Sequence, residues 1–262
     1  MPWPAAGRFT VYDLAFPLRN GMPHAPGLPA TEFELVKRHG DVLLGAGIST
    51  AAERITLGGH SGSHLDGWAH VSRDGRIFGD RDILASQTIA EGMLVAGVAE
   101  MPPILGPGHL VDLPRLLGRD PVAEDGVGAT ELERWFAARP EPSPGSIVLL
   151  RTGWGRRWSD PDSYLAPGGF PGLVLDGARW LTDHGVAAWG VDTLAAEKQP
   201  DATLPVHVHL LVERGIPVLE MLNLEALAAA GVGEFFFTAV ALPIVGGTGS
   251  PLRPLAFVPA GG

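Results

Sequence analysis

A dense group of potential metal ligands lies between residues 60 and 70. The segment reads HSGSHLDGWAH, and it places His60, His64, Asp66 and His70 all at even positions. In an extended backbone, alternate residues face the same side, so these four side chains are predicted to converge. Imidazole nitrogens and a carboxylate suit zinc, manganese or iron(II). The spacing therefore predicts a metal-dependent enzyme, and loop residues without a shared role are the alternative.

The four residues are predicted to divide their tasks. His60, His64 and Asp66 are the predicted metal ligands. His70 is the predicted general acid and base, because an imidazole titrates near neutral pH, although a ligand role for it stays open. Trp68 shares the parity of the group, so it either forms the wall of a pocket for an aromatic substrate or belongs to the core.

A second group of candidate ligands lies in the C-terminal half of the chain. Glu220 ends the apolar segment PVLE, where a buried carboxylate needs a partner such as a metal or a metal-bound histidine. His207 and His209 lie in the predicted helix 206–214, where residues two positions apart point in different directions, so at most one of them is expected to face the site. The alternative is a histidine on a helix surface and a glutamate in a surface ion pair.

The glycine-rich segment from Gly246 to Pro254 has a superficial likeness to a phosphate-binding loop. It lacks the terminal Lys-Ser/Thr pair of such loops and does not clearly open a helix, so we reject nucleotide binding. Its polar residues Thr248, Ser250 and Arg253 could instead line a substrate pocket.

The composition excludes several classes of function. The 262 residues contain no cysteine, which excludes disulfides, thiolate metal ligands and cysteine nucleophiles. The net charge of −10 disfavours nucleic acid as a partner and leaves a small-molecule substrate. No apolar run approaches the length needed to span a bilayer, and the first residues lack the features of a signal peptide. A cytoplasmic protein without a membrane partner is therefore predicted.

Apolar patterns and turn signals predict the elements that position these residues. Strands are predicted at 9–16, 54–57, 93–98, 146–152, 187–191, 217–219 and 235–242. Helices are predicted at 130–139, 176–184, 206–214 and 224–230. Loops or irregular segments are predicted at 24–52, 102–108, 140–145 and 166–172. The alternation of strands and helices predicts a mixed α/β fold, and the lack of a clear linker predicts one domain over residues 1–262.

Several motifs together resemble those of the metal-dependent cyclase-like hydrolases, a family that includes bacterial kynurenine formamidase and isatin hydrolase. The pattern HxGSHxDxxxH at 60–70 resembles the family signature. Further similarities follow in the family's order: Asp13-Leu14 with NGMP at 20–23, GVDT at 190–193, PxH at 205–207 with GIxxxE at 215–220, and GGTGSPLRP at 246–254. Trp68 replaces a proline of the kynurenine formamidase form, and the chain is more similar to a longer, poorly characterised branch.

The resemblance implies a fold, an assembly and a set of roles. It implies a single compact, swivelling domain of mixed β/β/α type, assembled as a homodimer or homotetramer. His60, His64 and Asp66 would bind a divalent metal, either zinc or manganese, and His70 would be the catalytic acid and base. His207 and Glu220 would complete a second metal position or support the first, so that one or two ions bind.

The resemblance also implies an activity. A hydrolase of this family would cleave a C–N bond of an amide or cyclic amide, or open a lactone, in a small aromatic or apolar substrate. One alternative is a cyclase or dehydratase that acts on a polyketide-like carbonyl compound. The other alternative is a metal-stabilised binding protein without catalytic activity.

Overall fold

A computed structural model describes residues 8–260 of the chain. The strands are β1 Phe9–Asp13, β2 Glu32–Lys37, β3 Ala52–Thr56, β4 His64–Asp66, β5 Arg76–Ile77, β6 Arg81–Asp82, β7 Gln87–Thr88, β8 Gly92–Met93, β9 Ile104–Asp112, β10 Gly126–Val127, β11 Ile147–Arg151, β12 Gly172–Leu173, β13 Ala188–Val191, β14 Val218–Glu220, β15 Glu234–Ala239, β16 Gly249–Pro251 and β17 Leu255–Pro259. The α-helices are α1 Leu113–Leu117, α2 Ala129–Phe136, α3 Pro161–Leu165, α4 Leu175–Asp183, α5 Pro205–His207 and α6 Glu225–Ala229. A π-helix, Val208–Glu213, continues α5, and 3₁₀ turns lie at Gly45–Gly47, Val98–Glu100 and Trp154–Arg157.

Nine of the strands form one mixed sheet, in the order β1-β17-β15-β9-β11-β13-β14-β4-β16. The four central strands β9, β11, β13 and β14 run parallel, and helices such as α2 and α4 connect them. The other strands of this sheet pair antiparallel with their neighbours. The prediction of a mixed α/β fold is confirmed. Whether residues 1–262 form one domain stays a prediction, because residues 1–7 and 261–262 lie outside the described part.

The two faces of the sheet bury different side chains. The alternation along β4 and β14 turns Leu65 and Leu219 toward one core, together with residues of α6, β15 and β17. Val218 faces the other core, which α2 and α4 cover. Glu220 pairs with His64 and Val218 pairs with Asp66 across the strands, so His64, Asp66 and Glu220 share the face of Val218. The sheet register thereby collects polar ligands at the edge of an apolar core.

The long hairpin of β2 and β3 lies apart from both cores. Its cross-strand pairs place Phe33, Leu35 and Ile55 on one face, where they are 47%, 53% and 49% exposed. An isolated two-stranded hairpin is at best marginally stable in water, so this apolar face is expected to gain from being covered. The homodimer or homotetramer stays a prediction, and light scattering of the purified chain would test it.

Several predicted elements are confirmed within a few residues, and others are wrong. The predictions at 146–152, 176–184, 187–191 and 217–219 correspond to β11, α4, β13 and β14. The predicted loop at 102–108 lies instead mostly in β9, where Gly108 is needed because a Cβ there would clash with the ring of Phe235. The predicted strand at 93–98 is wrong beyond Met93.

Two further predictions from local patterns are also corrected. The predicted irregular segment 24–52 contains β2. Helix α2 begins one residue earlier than predicted, because the Glu131 carboxylate accepts from the backbone N–H of Gly128 at 3.0 Å, and it ends at Phe136, three residues before the predicted end. Among residues 8–260, no helix is long and apolar enough to cross a membrane.

Candidate active site

The segment 60–70 brings its ligands together by turns rather than by one extended strand. Only His64–Asp66 is a strand, so the predicted convergence is right but its predicted cause is wrong. Gly62 adopts a φ of +62°, a left-handed conformation that favours glycine, and this turn brings His60 back toward Asp66. His70 follows a second turn, in which its N–H donates to the carbonyl of Gly67 at 3.0 Å.

The carboxylate of Asp66 lies at the centre of the cluster. Its Oδ1 is 2.6 Å from Nδ1 of His60 and 3.4 Å from Nε2 of His64. Its Oδ2 is 3.3 Å from Nε2 of His207 and 3.9 Å from Nε2 of His70. Asp66 is fully buried, so its carboxylate interacts with these rings in a medium of low polarity.

Glu220 places a second carboxylate beside the first. One of its oxygens is 3.5 Å from Nε2 of His64, and the other is 3.1 Å from Nε2 of His207. The backbone N–H of Ala196 also donates to it at 2.7 Å. The described residues therefore contain two overlapping groups of metal-ligating atoms that share Asp66: His60–His64–Asp66 and Asp66–His70–His207, with Glu220 at their junction.

The donor atoms of this cluster fit a divalent transition metal. All are imidazole nitrogens or carboxylate oxygens, which suits zinc, manganese or iron(II). Within residues 8–260, the only cationic side chains that reach Asp66 or Glu220 at ion-pair distance are histidines. Two buried carboxylates whose charged partners are histidines, which can give up their protons, are well matched to a bound cation.

Three of the rings are held on the side away from Asp66. His60 pairs through Nε2 with the hydroxyl of Thr248 at 2.9 Å, and His64 donates through Nδ1 to the carbonyl of Gly62 at 2.8 Å. His207 pairs through Nδ1 with the carboxylate of Glu197. Metal-binding histidines commonly have such outer partners, which fix the ring and the nitrogen that carries the proton. This arrangement supports ligand roles for all three rings.

His70 differs from these three rings. Among residues 8–260, no partner lies within hydrogen-bonding distance of its Nδ1, and its side chain is 30% exposed. Its ring lies 4.0 Å, centroid to centroid, from the ring of His60. Burial lowers the pKa of His70, and the neighbouring His60 and His207 act in the same direction against the attraction of Asp66. A free, neutral and partly exposed imidazole is suited to proton transfer.

Without a metal, the buried carboxylates hold protons on the neighbouring rings. Burial alone would lower the pKa of His64, but hydrogen bonds to Asp66 and Glu220 outweigh it and raise the pKa to about 10. The pKa of His207 is raised well above its usual value by its carboxylate partners, again against burial. Burial would raise the pKa of Asp66, but the surrounding histidines lower it well below its usual range.

These pKa shifts predict that metal binding releases protons. At pH 7 the rings of His64 and His207 are protonated, and a ligating imidazole must be neutral. We expect the apparent metal affinity to rise with pH, by about tenfold per unit for each proton displaced. Calorimetric titration in buffers of different ionisation enthalpy measures the number of protons. Metal binding without proton release near pH 7 would contradict the prediction.

The structure chooses between the two candidate histidines of the C-terminal half. His207 ends α5 and faces Asp66 and Glu220. His209 instead pairs with the carboxylate of Glu213 at 2.8 Å and with the hydroxyl of Thr182 at 3.2 Å. The sequence could not separate them, because the choice depends on where α5 begins.

Of the four residues predicted to line a substrate pocket, Thr248 contacts the cluster through His60, and the other three have different partners. The indole N–H of Trp68 donates to the carbonyl of Gly215 at 2.8 Å, because the turn after Asp66 breaks the predicted parity. Ser250 is fully buried and pairs with Leu65, on the sheet face opposite the histidines. Arg253 is exposed and pairs with Asp13 at 2.6 Å. Substrate contact by these residues stays an untested prediction.

Asp192, which directly follows β13, joins the end of that strand to the turn that follows β11. Its buried carboxylate accepts from the backbone N–H groups of Thr152 at 2.8 Å and Gly153 at 2.9 Å. Burial raises the pKa of Asp192 to about 6, although hydrogen bonds from Thr152 and Gly155 act in the opposite direction.

Replacing Asp192 by alanine is expected to lower the free energy of unfolding by roughly 2–5 kcal/mol, because four buried donors, on Thr152, Gly153 and Gly155, lose their acceptor. Urea unfolding measures the loss. Asp41→Ala, which removes hydrogen bonds on an exposed loop, is the control and should cost less than about 1 kcal/mol. Equal losses of stability in the two variants would contradict the stabilising role of the buried Asp192 carboxylate.

Comparison with known proteins identifies the family. The family model described as "Putative cyclase" matches residues 12–198. The chain belongs to the cyclase family. Membership confirms the resemblance in the motifs, and the match includes the whole cluster of residues 60–70.

Among the relatives, a kynurenine formamidase of Bacillus cereus is 25% identical over 244 residues, which cover 92% of this chain and 94% of the relative. An isatin hydrolase of Roseibium aggregatum is 25% identical over 214 residues, or 78% of this chain and 74% of the relative. The crystal structure of a novel cyclase matches with a TM-score of 0.85 and 26% identity, covering 95% of this chain and 87% of that one. These named enzymes agree with the prediction that this chain is an enzyme.

Proposed function

We propose that this cyclase-family chain is a metal-dependent hydrolase that cleaves the C–N bond of an amide or cyclic amide. The observation that carries the proposal is the shared carboxylate of Asp66, on which four imidazole rings converge. Within the part of the chain that the structure describes, three of the rings have fixed outer partners and His70 has none. We therefore assign the three held rings as metal ligands and His70 as the proton carrier. The amide substrates follow from the relatives, which are named kynurenine formamidase and isatin hydrolase.

The residues that would hold the metal are His60, His64 and Asp66, with His207 and Glu220 completing a second position. A bound divalent ion would supply Lewis acidity, which lowers the pKa of water and polarises a carbonyl group. Zinc or manganese, and one or two ions per chain, are proposed on the chemistry of the donors.

His70 is the proposed acid and base of the reaction. Its neutral ring accepts a proton from water as the water oxygen bonds to the carbonyl carbon. The same ring then donates that proton to the leaving nitrogen as the C–N bond breaks. Water and an amide are thereby converted to a carboxylic acid and an amine, and His70 ends in its starting state.

Apolar side chains next to the cluster suit an aromatic or apolar substrate. Leu18 and Met22 lie against Gly62, so close that a Cβ on Gly62 would meet the side chain of Leu18 at 2.7 Å. Met22 and Met221 belong to a mostly aromatic cluster with Phe16, Trp154, Trp158, Tyr164 and Phe170. Met221 directly follows Glu220, so this cluster reaches the polar site.

A panel of aryl formamides, cyclic amides and lactones tests the proposed reaction. Hydrolysis of at least one member, with release of one carboxylic acid per amine or alcohol, is the expected result. The family description and one solved relative name a cyclase, so polyketide-like carbonyl compounds belong in the same panel. Ring closure or dehydration without any hydrolysis would favour the cyclase alternative. Bound metal with no turnover of any kind would favour a binding protein.

A further inference from the structure

Glu197 is a buried carboxylate whose side-chain hydrogen bonds, within residues 8–260, all go to His207. It is 1% exposed and lies in the segment between β13 and α5. One carboxylate oxygen accepts from the backbone N–H of His207 at 2.9 Å, and the other pairs with the ring Nδ1 of the same residue. No spacing rule in the sequence pointed to this residue, because it is a lone glutamate ten positions before its partner.

The two contacts fix both the position and the orientation of the imidazole. The backbone contact holds the residue at the end of α5, and the ring contact holds the plane of the ring. Nε2 is consequently directed at Oδ2 of Asp66, 3.3 Å away, and at Oε1 of Glu220, 3.1 Å away. Because the proton on Nδ1 is shared with Glu197, the nitrogen left to bind an ion is Nε2.

We propose that Glu197 is a positioning residue that sets the affinity of the metal position formed by Asp66, His207 and Glu220. The proposal rests on the proposed metal centre. The other position has separate supports, since Thr248 holds His60 and the carbonyl of Gly62 holds His64. Loss of Glu197 should therefore weaken metal binding at the position formed by Asp66, His207 and Glu220 and leave binding at the other position unchanged.

Glutamine at position 197 is the informative substitution. A carboxylate accepts hydrogen bonds at both oxygens, whereas an amide presents one acceptor and one donor. Glu197→Gln can therefore satisfy the backbone N–H or the ring Nδ1–H of His207, but not both. Glu197→Asp keeps both acceptors on a shorter side chain.

The chain supplies a matched control within the next helical segment. Glu213 pairs with Nδ1 of His209 at 2.8 Å, the same type of contact as that between Glu197 and His207. His209 faces Thr182 and not the cluster. Glu213→Gln consequently makes the same chemical change beside a histidine that has no proposed metal role.

Zinc titration of the whole chain, in competition with a chromophoric chelator, tests the inference. In Glu197→Gln we expect one zinc position to weaken by about 10- to 100-fold and the other to change by less than about twofold. Glu213→Gln should bind zinc with the wild-type affinities. Glu197→Asp should have an affinity between those of wild type and Glu197→Gln. The absorption spectrum of the cobalt-loaded protein should change in Glu197→Gln and not in Glu213→Gln.

Two results would overturn the inference. Glu197→Gln with wild-type zinc affinities and only a lower unfolding temperature would show that the residue merely supports the fold. Equal weakening of both positions would show that its effect is not specific to His207. If Glu197→Gln does not fold, unchanged zinc affinities in Glu197→Asp would overturn it equally. Failure of the wild-type chain to bind zinc or manganese would instead contradict the proposed metal centre itself.

Discussion

Replacing His70 by alanine is expected to lower kcat/KM by about 10²- to 10⁴-fold while the bound metal is retained. Among residues 8–260, His70 is the one ring of the cluster without a fixed outer partner, and its second nitrogen can pass a proton between water and the leaving group. Its separation of 3.9 Å from Asp66 is also the longest of the four histidine contacts. The loss should therefore fall on the chemical step and not on metal binding.

The pH profile gives this prediction a second readout. Because the pKa of His70 is lowered, the ring is neutral at pH 7, and activity should fall only when the pH drops below the usual range of histidine. The alanine variant should lose this acidic limb of the kcat/KM profile. His39→Ala, which changes an exposed histidine of the β2–β3 hairpin loop, is the control and should leave the profile unchanged. A His70 variant with full activity would rule out the proposed acid and base.

Replacing Asp66 by asparagine is expected to abolish metal binding at both positions and to reduce activity by more than about 10³-fold. Asp66 contacts all four histidines and belongs to both groups of ligating atoms. An amide has nearly the same size as a carboxylate, but it lacks the negative charge and offers a hydrogen-bond donor to rings that need an acceptor. Both metal positions therefore depend on the carboxylate of Asp66.

Metal content and folding must be measured on the same preparation of Asp66→Asn. Elemental analysis should find less than about a tenth of the wild-type metal, and circular dichroism should show a folded chain. Glu220→Gln, which removes charge from the second carboxylate only, should retain one ion if two bind to wild type. A folded Asp66→Asn variant with a full complement of metal would disprove the shared role of Asp66.

The sequence alone predicted the residues of the cluster better than the backbone that joins them. His60, His64, Asp66 and His70 do converge, as their types and spacing predicted. The predicted extended strand covers only three of the eleven residues, because the left-handed turn at Gly62 is a property of the backbone that side-chain parity does not encode. Side-chain parity likewise does not apply to Trp68, which follows the strand end and whose indole N–H donates to the carbonyl of Gly215.

The parts that could not be predicted depend on contacts between distant segments. Glu197 and Thr248 hold two of the rings, yet each lies in a loop without a periodic pattern. The choice of His207 over His209 depends on the start of α5. Strand β9 was missed because its Gly-Pro-Gly sequence suggests a loop, whereas the bulky Phe235 of the neighbouring strand requires glycine at position 108.

Reversible metal removal tests the central claim most directly. The chain, purified without chelator, is analysed for metal and then assayed on an amide substrate from the panel before and after dialysis against a chelator. We predict one or two zinc or manganese ions per chain, loss of hydrolysis when they are removed and recovery when zinc or manganese is restored. Hydrolysis that continues at the same rate in fully metal-free protein would contradict the account.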